Sequence, residues 1–443
     1  FTSEIAGINA FRFEELEGRL LWQRDRFQGW EVAARPYGGQ AWWDFTMEPL
    51  GGLLPAQATF EFRYQDVQVG QLLQALELPG FRPIAKASGR NFLEWNLGEF
   101  TDFRNEGHIR LDPPEGVRLA TDQLPAHLPS EVQDRARRPP DLTTRDFQIG
   151  GELEYTADGD WIELASGRIA TPSTSITFYG RTSWGVDSRI PFKVASRNWQ
   201  ESDRLMASVM TAVGASTNSF VVDGYGTLDG VMLGDVGAPR IEANFVGQQV
   251  RAWNVEWGAG AGQFVVEDSY LDVSGGVFRN GSAELQVDGL FALGGPRDGG
   301  EEEMNAIVKM ASFPAIEIRA AFGLTEGYLV DGPVNGEVHL YGGYRRLFGF
   351  GRLSLVQPIA YGETFDSAVA DLRFEGDGVR LNGLNIRKGE GIATGAAFIE
   401  WDASYSFNLD AQNIRIETLE ILPVLPQPPS GILEGTGSGV GYF

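Results

Sequence analysis

The sequence predicts a mostly β protein: a long antiparallel sheet of repeated units, with short amphipathic helices where one unit hands over to the next. Three observations predict it. Apolar and polar residues alternate with period two in many segments, which gives a strand one apolar face. Gly is abundant, at 57 residues, and Phe, at 28, outnumbers Trp and Tyr, a composition that favours many short strands joined by turns. A strand pattern followed by a short helix pattern recurs four times along the chain.

The first copy is "ATFEFRYQDVQVGQLLQAL". Phe60, Phe62 and Tyr64 alternate with Glu61, Arg63 and Gln65; Asp66 ends the alternation, and Val67, Val69, Leu72 and Leu73 follow at helical spacings. The second is "PFKVASRNWQESDRLMASVM", with Phe192, Val194 and Ser196 on the strand, Asn198 at the switch, then Trp199 and Leu205. The third, "IVKMASFPAIEIRAAF", places Val308, Met310 and Ser312 before Pro314 and departs furthest, lacking an acidic or amide residue at the switch. The fourth is "SYSFNLDAQNIRIETL", where Phe407, Leu409 and Ala411 precede Asn413. Asp66, Asn198 and Asn413 are expected to cap helices by accepting a bond from an otherwise orphan N–H. Pro314 suits a first helical turn, where no N–H partner is needed.

Each switch is followed by a glycine-marked return strand, at Gly89, Gly226, Gly336 and Gly435. The expected organisation is a continuous array: residues 1–111, 142–233, 234–340 and 341–443 as four units, with 112–141 as a Pro-rich insertion or linker. Between the junctions the chain reads as β-meander. Asp158-Gly159, Asn280-Gly281, Asp377-Gly378 and Asn382-Gly383 supply tight-hairpin chemistry. In "ADLRFEGDGVRLNG", Ala370, Leu372 and Phe374 share a face, and Val379 and Leu381 answer them after the turn.

Charge narrows the function. Lys and Arg number 36 against 60 Asp and Glu, a net charge of −24. No basic stripe is available to neutralise phosphates, which argues against nucleic acid and disfavours docking on an anionic lipid surface; the acidity is expected to form a solvated exterior. With no Cys, disulfides and thiolate metal sites are excluded. No run of 18 apolar residues occurs, so no helical span is expected. The abrupt start at Phe1 and the unfinished alternation of "GTGSGVGYF" suggest a piece of a longer protein.

Catalytic, cofactor and metal sites are not expected. His108, His127 and His339 lie far apart and in no metal-binding spacing; they are expected as surface or loop residues. There is no nucleophile elbow, P-loop or dinucleotide fingerprint. Glu301 to Glu303 are expected on a solvated face. The Trp residues, such as Trp42, Trp43, Trp184, Trp253, Trp257 and Trp401, are expected to flank strands as core or rim.

The junctions "YQDVQVGQLLQALELPGF", "SRNWQESDRLMASVM" and "AQNIRIETLEILPVL", each with its glycine-rich return, together with "GYGTLDGVMLGDVGAPRIEANFVGQQVRAWNVEWGAGAGQFVVEDSYLDV", resemble the TamB-like and AsmA-like envelope proteins. The resemblance covers nearly the whole chain and lies in cadence. It implies a long curved antiparallel sheet folded like a taco, the β-taco, around an apolar groove with an open seam. It implies a bridge in the periplasm of a Gram-negative bacterium, anchored in the inner membrane by a segment outside this sequence. The implied cargo is phospholipid, held by its acyl chains and moved between inner and outer membrane. The implied partners include a TamA-like outer-membrane barrel, served in outer-membrane protein assembly. Phe60, Phe62, Phe192, Val194, Val308, Met310, Phe407 and Leu409 are then the candidate groove lining. Two alternatives stay open: a β-rich carbohydrate-active enzyme using paired carboxylates, and a passive extracellular β-solenoid or adhesin.

Overall fold

The computed structural model describes residues 1–8, 11–53, 55–77, 81–124, 146–212, 222–252, 255–293, 302–322, 329–420 and 429–442. Among these, 24 strands pair into one large antiparallel sheet, accompanied by a few short helices. No described helix is long and apolar enough to cross a membrane. The chain divides into two compact units, the first mainly residues 1–219 and the second mainly residues 269–443, with the segment between shared among them.

In the first unit the strands of the large sheet run as a meander, each pairing with the next in that sheet, while the short strands Arg82–Ile84 and Asp146–Gln148 pair in parallel apart from it. Pairing registers fix which side chains share a face, because residues directly opposite in an antiparallel pair point the same way. Phe62 opposes Trp43 on one side and Asn91 on the other. Asn91 opposes Gly107, and Gly107 opposes Tyr155. Phe192 opposes Phe178, which opposes Gly167, which opposes Leu153. The helix Trp199–Ala212 lies over one end of this face, where Leu205 and Val209 pack with Phe147, Ile149, Ile169 and Ile176.

In the second unit the meander continues from Tyr270 to Tyr442. Val308 opposes Val338, then Gly351, Leu372, Leu381, Ala397, Phe407 and Gly439 follow across successive strands in a single row. Leu285, Phe313, Val334, Val338, Leu372 and Phe374 bury together in one apolar core. The helix Ala315–Ala321 roofs it. Phe322, just past that helix, stacks on Trp401 at 5.3 Å and on Phe374 at 5.9 Å.

The switch residues behave differently from the sequence expectation. Asp66 and Asn413 are not helix caps. Each takes a left-handed backbone, φ +57° and +55°, at a β-bulge where pairing skips from Tyr64 to Val67 and from Ala411 to Ile414. The helix Val69–Ala75 starts beyond Asp66, after Gln68, which makes no side-chain cap bond. After Asn413 there is only the 3-10 turn Ile416–Thr418, preceded by Arg415. Asp and Asn tolerate the left-handed region as well as they cap helices, so composition leaves the two roles indistinguishable. Ser312 carries the third such bulge, with φ +50° and a skip from Met310 to Phe313. The third copy therefore aligns through Ser312 with Asp66 and Asn413, and the second copy is the one that differs. Its strand stays in register through Ser196 opposite Gly226, and Asn198 Oδ1 accepts from the Glu201 N–H at 3.4 Å, at the start of the Trp199–Ala212 helix.

The bulges have local support. Asp66 N–H donates to Ser88 Oγ at 3.2 Å, Ser312 N–H to Asn335 Oδ1 at 2.9 Å, and Asn413 Nδ2 to the Glu390 carbonyl at 3.2 Å. Ser88 and Asn335 each precede a return glycine, Gly89 or Gly336. A Cβ on Gly336, where φ is +145°, would sit 2.0 Å from the Arg352 carbonyl oxygen. Gly435 has open space instead.

Other expectations shift in detail. Asp158 pairs with Trp161 and Asn280 with Ala283, so two-residue loops start at Gly159 and Gly281. Asn382-Gly383 is a bulge inside the strand Gly378–Lys388 and not a hairpin, because pairing skips from Leu381 to Leu384 there. Glu303 is 3% exposed and not solvated; its carboxylate accepts the Tyr344 N–H at 2.5 Å. His108 and His339 lie in mid-strand, bonded to Glu152 and Asn305. His127, Trp253, Glu301 and the part of the Pro-rich insertion from 125 lie outside the described residues.

Candidate functional site

The registers bring the predicted lining residues onto shared faces. Phe60, Phe62, Phe192 and Val194 fall on one face of the first unit, and Val308, Met310, Phe407 and Leu409 on one face of the second. Their burial is uneven. Val194 and Met310 are buried; Phe60, Phe62, Phe192, Val308, Phe407 and Leu409 are half-buried.

The first unit's face is an aromatic strip that solvent still reaches. Trp43 and Phe62 rings lie 6.1 Å apart, Phe45 and Phe60 6.4 Å, Phe45 and Trp95 6.0 Å, and Phe60 stacks on Phe62 at 5.8 Å. All five rings are half-buried, so tilted ring-on-ring contacts replace full enclosure. In the strands from Gln40–Glu48 to Trp161–Ala170, every position on this face is apolar or neutral polar. The cations of the same strands, Arg63, Lys86, Arg90, Arg104, Arg110 and Arg168, take the alternate positions, and all but the half-buried Arg168 are exposed.

One polar cluster interrupts the strip, and sequence reasoning missed it. Tyr155 Oη donates to Asn91 Oδ1 at 3.2 Å, and Asn105 also bonds the Tyr155 oxygen. The Tyr155 ring lies over Gly107, where a Cβ would meet it at 2.3 Å; the Tyr64 hydroxyl lies over Gly89, 2.6 Å from a Cβ there. The two tyrosines lean over neighbouring glycines. Burial, with the neighbouring Tyr155, pushes the Tyr64 phenol up to about 12. Burial also raises Tyr155, against the two asparagine bonds that lower it. Asn105 Oδ1 is buried without a hydrogen-bond partner among the described residues. The only sequence trace of this cluster is an Asn at two inward strand positions, which becomes legible once pairing shows Gly89 and Gly107 beneath the tyrosines.

Two shallow clefts occur elsewhere. One, about 580 Å³, is lined by Trp42, Arg63, Tyr64, Gln65, Ser88, Arg110 and Asp112. The other, about 670 Å³, runs past Lys309, Glu337, His339, Phe350 and Arg352. Both mix opposite charges on the solvated side of their strands. Among the described residues no three His, Asp or Glu side chains gather as a metal site. No family model, curated protein or solved structure matches this chain.

Proposed function

We propose that this chain is a bridge-like periplasmic protein of the TamB-like and AsmA-like kind, whose repeated strands form a taco-like groove and conduct phospholipid between inner and outer membrane. Support of a TamA-like barrel in outer-membrane protein assembly belongs to the same reading. The observation that carries it is the aromatic strip around Phe60 and Phe62: large apolar side chains, aligned across strands, half-buried and free of charge. An acyl chain laid on such a strip gains about 0.8 kcal/mol per methylene removed from water. Similar side chains repeat from strand to strand, so the chain can slide without a deep trap, and its head group stays in water. No proton transfer or nucleophile is required, and the protein acts as a conduit and not as an enzyme.

The test is mass spectrometry of lipid extracted from gently purified protein. Phospholipid is expected with the wild type and is expected to drop in the Phe62→Asp, Phe407→Asp double variant, with circular dichroism verifying the fold. A lipid-free wild type, with no change in the double variant, sinks the proposal.

A second reading, a passive structural β protein, is favoured by the packed core around Leu285, Val334 and Phe374. It expects no lipid at any step of purification.

A further inference from the structure

We infer that the cluster of Tyr64, Asn91, Asn105 and Tyr155 is a binding site for the hydroxyl group of a neutral, hydroxyl-bearing hydrocarbon whose chain lies along Phe62, Trp43 and Phe45. The inference rests on the apolar face accepting hydrocarbon at all, and it adds what the polar interruption selects.

The four side chains come from four consecutive strands and converge on one patch of the apolar face. Asn91 shares a cross-strand row with Phe62 and Tyr155, so a chain on Phe62 delivers its polar end to Asn91 and the two phenols. The bonding inventory is unbalanced. Tyr155 uses its one proton on Asn91, and Asn105 Oδ1 has no donor. The Tyr64 hydroxyl makes no side-chain hydrogen bond among the described residues; it lies over the Gly89 backbone, and the Tyr64 ring packs 5.5 Å from the ring of Phe62. A buried acceptor without a donor is destabilising, and a donor that reaches it relieves the loss. Asn105 as a residue is only half-buried. Its last torsion is soft, so a turn of the amide brings Oδ1 to an incoming O–H while Tyr64 donates to the same oxygen.

Charge selects among polar groups. No Lys or Arg occupies this face of the neighbouring strands, so a carboxylate or phosphate would be desolvated without a countercharge. No Asp or Glu occupies it either, and the tyrosines stay neutral at ordinary pH, so an ammonium fares no better. A neutral group that both donates and accepts once is what the cluster matches. An ether, which only accepts, matches half of it.

The test compares 1-decanol with its isomer methyl nonyl ether on the intact chain. Intrinsic tryptophan emission follows binding, since Trp43 and Trp95 border the strip. The alcohol is expected to bind about tenfold tighter, the effect of one to two net hydrogen bonds. Tyr64→Phe keeps the ring over Gly89, and Asn105→Leu keeps the face apolar. Each is expected to reduce the alcohol's advantage, and together they bring the ratio to about one while ether affinity stays within about twofold. Equal binding of alcohol and ether to the wild type overturns the inference and leaves the apolar groove standing. A full preference surviving in both variants also overturns it. Failure of both ligands to bind removes the groove reading and this inference together.

Discussion

The strip around Phe62 and the core around Phe374 are written in the same sequence code and end in different states. Both are strand faces of alternating aromatic and aliphatic residues. Around Phe374 the face is closed: Phe374 is 7% exposed and Leu285 2%, with Phe322 and Trp401 stacked above. Around Phe62 the rings touch each other and solvent; the helix Val69–Ala75 that follows this strand buries none of its own residues, and Trp199–Ala212 sits against Ile169 and Ile176. Period-two patterning thus sets which side is apolar. What lies over that side is set by where a helix and its flanking aromatic land, and that difference separates a structural core from a surface able to hold hydrocarbon.

The largest expected effect breaks the comparison by truncating one ring on each side. Phe374→Ala leaves a cavity in a packed core and is expected to cost about 3–5 kcal/mol in denaturant unfolding. Phe62→Ala is expected to cost less than half as much, because its ring is already partly in water. Equal losses would mean that the Phe62 face is as closed as the core. Glycines sharpen the same contrast. Gly336→Ala forces a Cβ against the Arg352 backbone oxygen at a left-handed φ and is expected to cost about 3 kcal/mol. Gly107→Ala meets the Tyr155 side chain first, which can move, and about 1 kcal/mol is expected; thermal melting checks both.

The smallest effect is a pH dependence carried by Tyr64. Tyr64 has its folded-state phenol raised to about 12, above the ordinary value near 10. Between those values the folded state holds the proton that the unfolded chain has lost. Stability is therefore retained below about pH 10 and falls as pH rises towards about 12. Tyr64→Phe is expected to flatten that fall, measured as the shift in unfolding midpoint across the same range, while Phe374→Ala leaves its slope unchanged.

Strand patterns and the hairpins at Gly159 and Gly281 were legible because each follows from a local rule, period two or a two-residue loop, whereas Asn382-Gly383 is a bulge and only Gly336 of the four return glycines takes a positive φ. The Leu372–Leu381 and Phe374–Val379 pairing came from such rules and is seen in the register. Asp66 and Asn413 were misread because a left-handed bulge and a helix cap draw on the same side chains. The Tyr64–Tyr155 cluster was invisible because its members are far apart in the chain and gain meaning only where four strands align.

The sequence by itself determined the antiparallel meander, the face on which each strand is apolar, and the acidic exterior, since alternation and charge are properties of neighbours along the chain. Only the tertiary structure decided which stretch of that apolar face is buried under its own helix and which stays within reach of solvent. Covering a face takes side chains from distant segments, and their meeting depends on register, on one-residue bulges at Asp66, Ser312 and Asn413, and on where each short helix comes to rest.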